Sequence, residues 1–193
     1  MHCAIRFLAV LGLMFGMGLP VVAKPVSYIL EPDDSVVGFV TDFGPDQITG
    51  AMPVKSADLI LDFDRVENCR IAVALDVAAA QASFPFAAQA MKGPKVLDAR
   101  SFPEMSFRST AIRPADGGSA RVEGDLTIRG ITRPVVLRAE IYRQKGTVDG
   151  DLRLLTVRLT GAVRRSDYGA TGWADMVGDE VRLSILARIA QAD

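Results

Sequence analysis

Apolar residues recur at every second position along most of the chain, the period of strands with one buried and one wet face. In the segment 70–77, Ile71, Val73, Leu75 and Val77 share a face, and in 134–142 Val135, Leu137, Ala139 and Ile141 do the same. Across 152–163, Leu155, Val157, Leu159 and Val163 fall together with Gly161, while Thr156, Arg158 and Thr160 interleave. Near the C-terminus Val181, Leu183, Ile185, Ala187 and Ile189 alternate with Arg182, Ser184 and Arg188. The same signal predicts strands over 26–31, 35–43, 48–55, 57–63, 105–112 and 121–129. Turn chemistry separates them at Glu31-Pro32-Asp33-Asp34, Asp116-Gly117-Gly118-Ser119, Arg129-Gly130-Ile131-Thr132 and Lys145-Gly146.

Only 78–103 breaks the pattern. The Ala-rich runs at 77–82 and 86–91 favour helix, punctuated by Pro85 and Gly93-Pro94. With no βαβ alternation and no heptads, this reads as an all-β, antiparallel fold with a short helical crossover. Closure into a barrel is the efficient way to protect its sheet edges.

The first 23 residues stand apart. Arg6, an apolar run from Phe7 to Leu19, and Val21 and Ala23 at the −3 and −1 positions form the layout of a cleaved secretory signal peptide. Cleavage after Ala23 leaves one domain, 24–193, exported and periplasmic, and not an integral membrane protein after processing. Because Cys3 precedes the apolar run, no lipoprotein acylation pattern follows it.

Charge and chemistry narrow the function. Basic and acidic residues number 22 and 23 and are spread along the chain, so there is no nucleic-acid footprint. The one histidine, His2, leaves with the signal peptide, which removes histidine-based catalysis and histidine-ligated metals. Cys69 remains alone and cannot form an intrachain disulfide. It reads as a small spacer, although Arg65 and Arg70 nearby would lower its pKa if it were reactive. The carboxylates Asp98, Glu104, Asp125 and Asp167 are not paired by spacing, so no catalytic set is assigned, and no metal site or cofactor.

Five segments in order resemble the YceI-like family over nearly all of 24–193. They are Tyr28 to Phe39, with Ser35-Val36-Val37-Gly38-Phe39; Ile48-Thr49-Gly50-Ala51-Met52; the phrase Phe102-Pro103-Glu104-Met105-Ser106-Phe107-Arg108-Ser109; the hairpin Gly124-Asp125-Leu126-Thr127-Ile128-Arg129-Gly130-Ile131-Thr132-Arg133-Pro134-Val135; and Arg165-Ser166-Asp167-Tyr168-Gly169 followed by Gly178-Asp179-Glu180-Val181. The resemblance implies an extended lipocalin-like barrel whose lumen holds a polyisoprenoid lipid or isoprenoid quinone without covalent attachment, and pairing into a homodimer. The chain departs from the family's pattern at 81–86 and 89–95, which bears on the ligand's head group.

A lumen for such a chain needs apolar walls. The expected lining residues are Phe39, Phe43, Phe84, Phe86, Met91, Leu97, Phe102 and Phe107. Arg165 and Tyr168 are the head-group candidates, the alternative for Arg165, Asp167 and Tyr168 being a turn that fixes barrel closure. Trp173, the single tryptophan, reads as a seal of the barrel end rather than a ligand contact. The leading expectation is a carrier, store or protectant of an isoprenoid lipid. The alternative is an envelope interaction or stress protein whose barrel is filled by its own side chains.

Overall fold

The computed structural model describes residues 24–143, 148 and 150–192. The predicted signal peptide and the Lys145-Gly146 turn lie outside the described residues. The strands are β1 (Val26–Leu30), β2 (Val36–Phe43), β3 (Asp46–Met52), β4 (Val54–Leu61), β5 (Arg70–Asp76), β6 (Gln81–Ala82), β7 (Glu104–Pro114), β8 (Ala120–Ile128), β9 (Ile131–Arg143), β10 (Leu154–Arg164) and β11 (Val177–Gln191). One helix, α1 (Pro85–Lys92), lies between β6 and β7.

These eleven strands make an eight-stranded closed barrel, because three of its staves are each broken in two. The 3-10 turn Pro32–Asp34 interrupts β1 and β2, and Pro53, which has no N–H to give a ladder, interrupts β3 and β4. The third stave is β5 with β6: β5 pairs with β4, and Gln81 and Ala82 pair with Ala51 and Gly50 of β3. Every stave is antiparallel to its sequence neighbour. β11 then returns to the first stave, setting Ile185 opposite Val37 and Gln191 opposite Tyr28, which closes the sheet on itself.

Alternation places the side chains. Between β10 and β11 the directly opposed pairs Leu155–Ile189, Val157–Ala187, Leu159–Ile185 and Val163–Val181 all face inward. Two bulges shift the parity of that alternation. A register irregularity between Val54 and Ser56 lets Val54 and Ala57 both face the lumen, and one between Ser109 and Ala111 does so for Phe107 and Ile112.

The sequence reading differs from the fold at three places. The stave break lies at Pro53 rather than at 56. β9 starts at Ile131 and carries Pro134 within it. The Ala-rich run 77–82 is not helical: the Asp76 carboxylate accepts the Ala79 N–H at 3.1 Å, the chain turns, and Gln81–Ala82 joins the sheet. So short a run cannot repay helix nucleation, whereas strand partners are already in place.

The two barrel ends differ. One is closed by Tyr28, Leu59, Leu155 and Ile189 with Phe63 and Leu152 packed on them. The Tyr28 hydroxyl donates to the Leu152 carbonyl at 2.9 Å, and the Phe63 ring meets Tyr28 edge-on at 5.9 Å. Asp62, 3% exposed, holds the turn there by accepting the N–H groups of Asp64 and Arg65 and the side-chain amide of Asn68. The other end carries the crossover 83–103, the turn at Arg129-Gly130 and the loop 165–176.

Candidate functional site: the barrel lumen

The inward faces enclose a cavity of about 680 Å³, within the range of small-molecule sites. Its wall runs from Phe63, Val66 and Cys69 at the closed end to Phe84, Phe86 and Trp173 at the other. A barrel filled by its own side chains, the alternative drawn from the sequence, does not match this volume.

Two glycines seat aromatic rings in the wall. A Cβ on Gly50 would collide with the Phe39 ring and the Gln81 carbonyl, and one on Gly124 with the Phe107 ring and the Arg108 carbonyl. Each ring therefore lies across the bare backbone of the neighbouring strand, held in place without a polar contact.

Of the expected lining residues, Phe39, Phe43, Phe84, Phe86, Met91, Leu97 and Phe107 face the cavity. Phe102 does not: its ring edge lies 3.1 Å from where a side chain on Gly130 would begin, so it packs beneath the β8–β9 turn. The strand positions Met105, Val157, Leu159, Leu183 and Ile185 also line the wall. Their alternation was visible in the sequence, but not whether their face bounds empty space or packed side chains.

Most polar side chains at the wall are already partnered, the Ser35 hydroxyl by the Glu31 carbonyl at 2.7 Å. Thr41, 6% exposed, has its hydroxyl within 3.0 Å of the Glu180 carbonyl and 3.2 Å of that of Gly178. Arg165 is 9% exposed and donates to four backbone carbonyls: Nε to Gly178 at 2.9 Å, Nη1 to Ala170 at 2.6 Å and Gly172 at 2.7 Å, and Nη2 to Val177 at 2.8 Å. Burial pulls its pKa down, with Asp179 acting in the opposite sense. Arg165 thus holds the loop 170–178 and has only one of its five N–H groups left for anything else. Tyr168 is 2% exposed, its phenol pKa pushed up by burial, and it is not part of the cavity wall. Arg165 and Tyr168 thus sit in a turn whose loop Arg165 ties together, and Arg165 also borders the cavity.

Trp173 departs from expectation, whereas Cys69 keeps the spacer role read from the sequence. Trp173 is 46% exposed, with a left-handed φ of 61°, and lines the cavity mouth rather than sealing it. The Lys95 ammonium sits 5.9 Å from its ring centre, and the Gly172 N–H donates to the Lys95 carbonyl at 2.8 Å, so loop and crossover form one rim. The Arg129 guanidinium reinforces this rim by donating to the carbonyls of Val96 and Gly169. Cys69 is buried, and burial pushes its thiol pKa up, outweighing the pull of Arg70.

No helix among the described residues is long and apolar enough to cross a membrane. The family model for the YceI-like domain matches residues 28–189. Curated relatives include a UPF0312 protein of Vibrio parahaemolyticus, 25% identical over 67% of this chain and 70% of its own length, and one of Pseudomonas fluorescens, 28% identical over 67% and 68%. Among solved structures, Burkholderia cenocepacia BcnA superposes with a TM-score of 0.73 at 23% identity, covering 83% of this chain and 99% of BcnA. A polyisoprenoid binding domain from Saccharophagus degradans superposes with a TM-score of 0.63 at 11% identity, covering 86% and 99%. At these identities the superpositions establish the fold.

Proposed function

From the premise that the chain belongs to the YceI-like domain family, we propose that it binds a long apolar isoprenoid chain, a polyprenyl lipid or a quinone tail, inside the barrel. It acts in the periplasm as a carrier, store or protectant. The observation that carries this reading is the cavity of about 680 Å³ with apolar walls, packed shut at one end and rimmed by half-exposed aromatics at the other. An apolar lumen packed by Tyr28, Leu59, Leu155 and Ile189 at one end suits a flexible hydrocarbon entering tail first from the other. Ser35, Thr41 and Arg165 at the wall are engaged with backbone and the lining is otherwise almost wholly apolar, so the driving force is hydrocarbon burial. That is worth about 0.8 kcal/mol per methylene-sized group before the cost of ordering the chain. The head group then rests at the mouth beside α1 and Trp173. The Saccharophagus degradans neighbour, a polyisoprenoid binding domain by name, supports the same ligand class.

The test is mass spectrometry of organic extracts from the processed protein, purified from its native envelope without detergent. A polyprenyl or quinone species at near one copy per protein is expected. Reproducible absence, together with failure to take up added polyprenols, would overturn the reading. In a series of polyprenols of increasing length, affinity should climb until the lumen is full and then level off.

A further inference from the structure

Phe84, Phe86, Trp173 and Met176 are 45%, 72%, 46% and 47% exposed, and all four also line the cavity. Exposed apolar side chains of this size are usually spread singly; here four stand together around the α1 end of the lumen. Phe84 and Phe86 belong to the start of α1, a helix with no buried residue, and Trp173 and Met176 to the loop opposite. The loop is locked by Arg165 and by the bond from Gly172 to Lys95, so Trp173 is presented on a fixed backbone.

We propose that this rim is a docking surface for the headgroup region of a phospholipid bilayer, across which the lumen exchanges its cargo. The inference rests on the lumen reading above, since an isoprenoid lipid resides in a bilayer and cannot cross water cheaply. Two features favour a bilayer over a protein partner. The rim surrounds an opening, so a flat protein face would cover the mouth but could not supply or receive cargo through it. Its composition, aromatic rings with the exposed Lys95 beside Trp173, is that of a membrane interface, where Trp sits at headgroup level and Lys reaches phosphate. The aspartates nearby, Asp42, Asp175 and Asp179, line a polar recess that adjoins the rim and shares Met176, Val177 and Arg165 with the lumen wall; Asp42 is paired there with Arg182 and Asp179 with Ser166. With basic and acidic residues nearly balanced, attachment comes from insertion of side chains rather than from net charge.

The experiment is flotation of delipidated full-length processed protein with phosphatidylcholine vesicles free of isoprenoids, read together with Trp173 fluorescence and its quenching by lipids brominated near the headgroup. Co-flotation, a blue shift and quenching are expected, with little change between 50 and 500 mM salt. Phe86→Ser should lower partition about ten-fold, and Met176→Ser about five-fold, with thermal unfolding confirming that both variants fold. Absence of co-flotation overturns docking, and uptake of detergent-dispersed polyprenol in the same preparation would leave the lumen reading intact. A blue shift that grows with protein concentration in the absence of vesicles overturns it in favour of self-association. Co-flotation without any polyprenol uptake keeps the docking surface and overturns its link to isoprenoid cargo.

Discussion

Replacing Arg165 by Met separates a structural role for this residue from a head-group role. The substitution keeps much of the side chain's length but removes the guanidinium from the carbonyls of Ala170, Gly172, Val177 and Gly178, of which Gly178 alone keeps a side-chain donor, the Thr41 hydroxyl. Charge-assisted bonds are worth about 1.5–3 kcal/mol each, and their simple sum would exceed what most domains have to lose. The loop can open and return some carbonyls to water, so a loss of about 3–5 kcal/mol is expected, typical of a buried charged group removed from its partners. In urea this lowers the midpoint by about 2 M at an m-value of about 2 kcal/mol/M. Hydrogen exchange should localise the damage. The Gly172 and Ala170 amides, bonded to the carbonyls of Lys95 and Arg165, should lose protection while β7 to β9 keep theirs. Arg165→Lys should recover less than half, because one ammonium cannot reach carbonyls spread around a planar fork. A midpoint within about 0.5 M of wild type, with weakened ligand binding as the main defect, would refute this reasoning and restore Arg165 as a head-group contact.

Three further outcomes are expected. Gly50→Val should destabilise by at least about 1–3 kcal/mol in chemical denaturation, and adding Phe39→Leu should restore only part, since the Gln81 carbonyl still blocks the new side chain; full rescue would mean that only the ring matters. Hydrogen bonds and neighbouring guanidinium groups hold Asp42, Glu123 and Glu140 below their usual range and Asp151 down to about 2; Asp62, bonded to Asn68, and Asp179, bonded to Ser166, are also lowered. Carboxylates depressed in the folded state stabilise it above their unfolded pKa values of 3.8 and 4.5, and that stabilisation is lost as pH falls through the folded values. The melting temperature should therefore be level from about pH 5.5 to 8, as there is no histidine in 24–193, and fall from about pH 4.5 towards 2; a step near pH 6.5 would contradict this. Cys69 should react with a thiol-specific disulfide reagent about 100-fold or more slower in the native protein than in denaturant, and comparable rates would show that the closed end opens readily.

The sequence by itself determined the barrel. A period of two, sustained with turn residues between the runs, admits antiparallel strands with one apolar face, and a shift of one residue would expose the whole set from Val181 to Ile189. It also assigned seven of the lumen residues, because large apolar side chains on a strand's inward face or along a crossover have few other places to go. Tertiary structure alone decided whether that inside was hollow. Alternation reports which face avoids water, and Leu155 in the plugged end and Leu159 in the cavity wall carry the same signal. The parity shifts at Lys55 and Thr110 were equally hidden, since a bulge is a property of two strands in register. The surroundings of Arg165, Phe102 and Trp173 were hidden for a related reason. What a side chain does there depends on partners brought in from elsewhere in the chain: the carbonyls of 170–178, the bare backbone of Gly130, and Lys95 across the mouth.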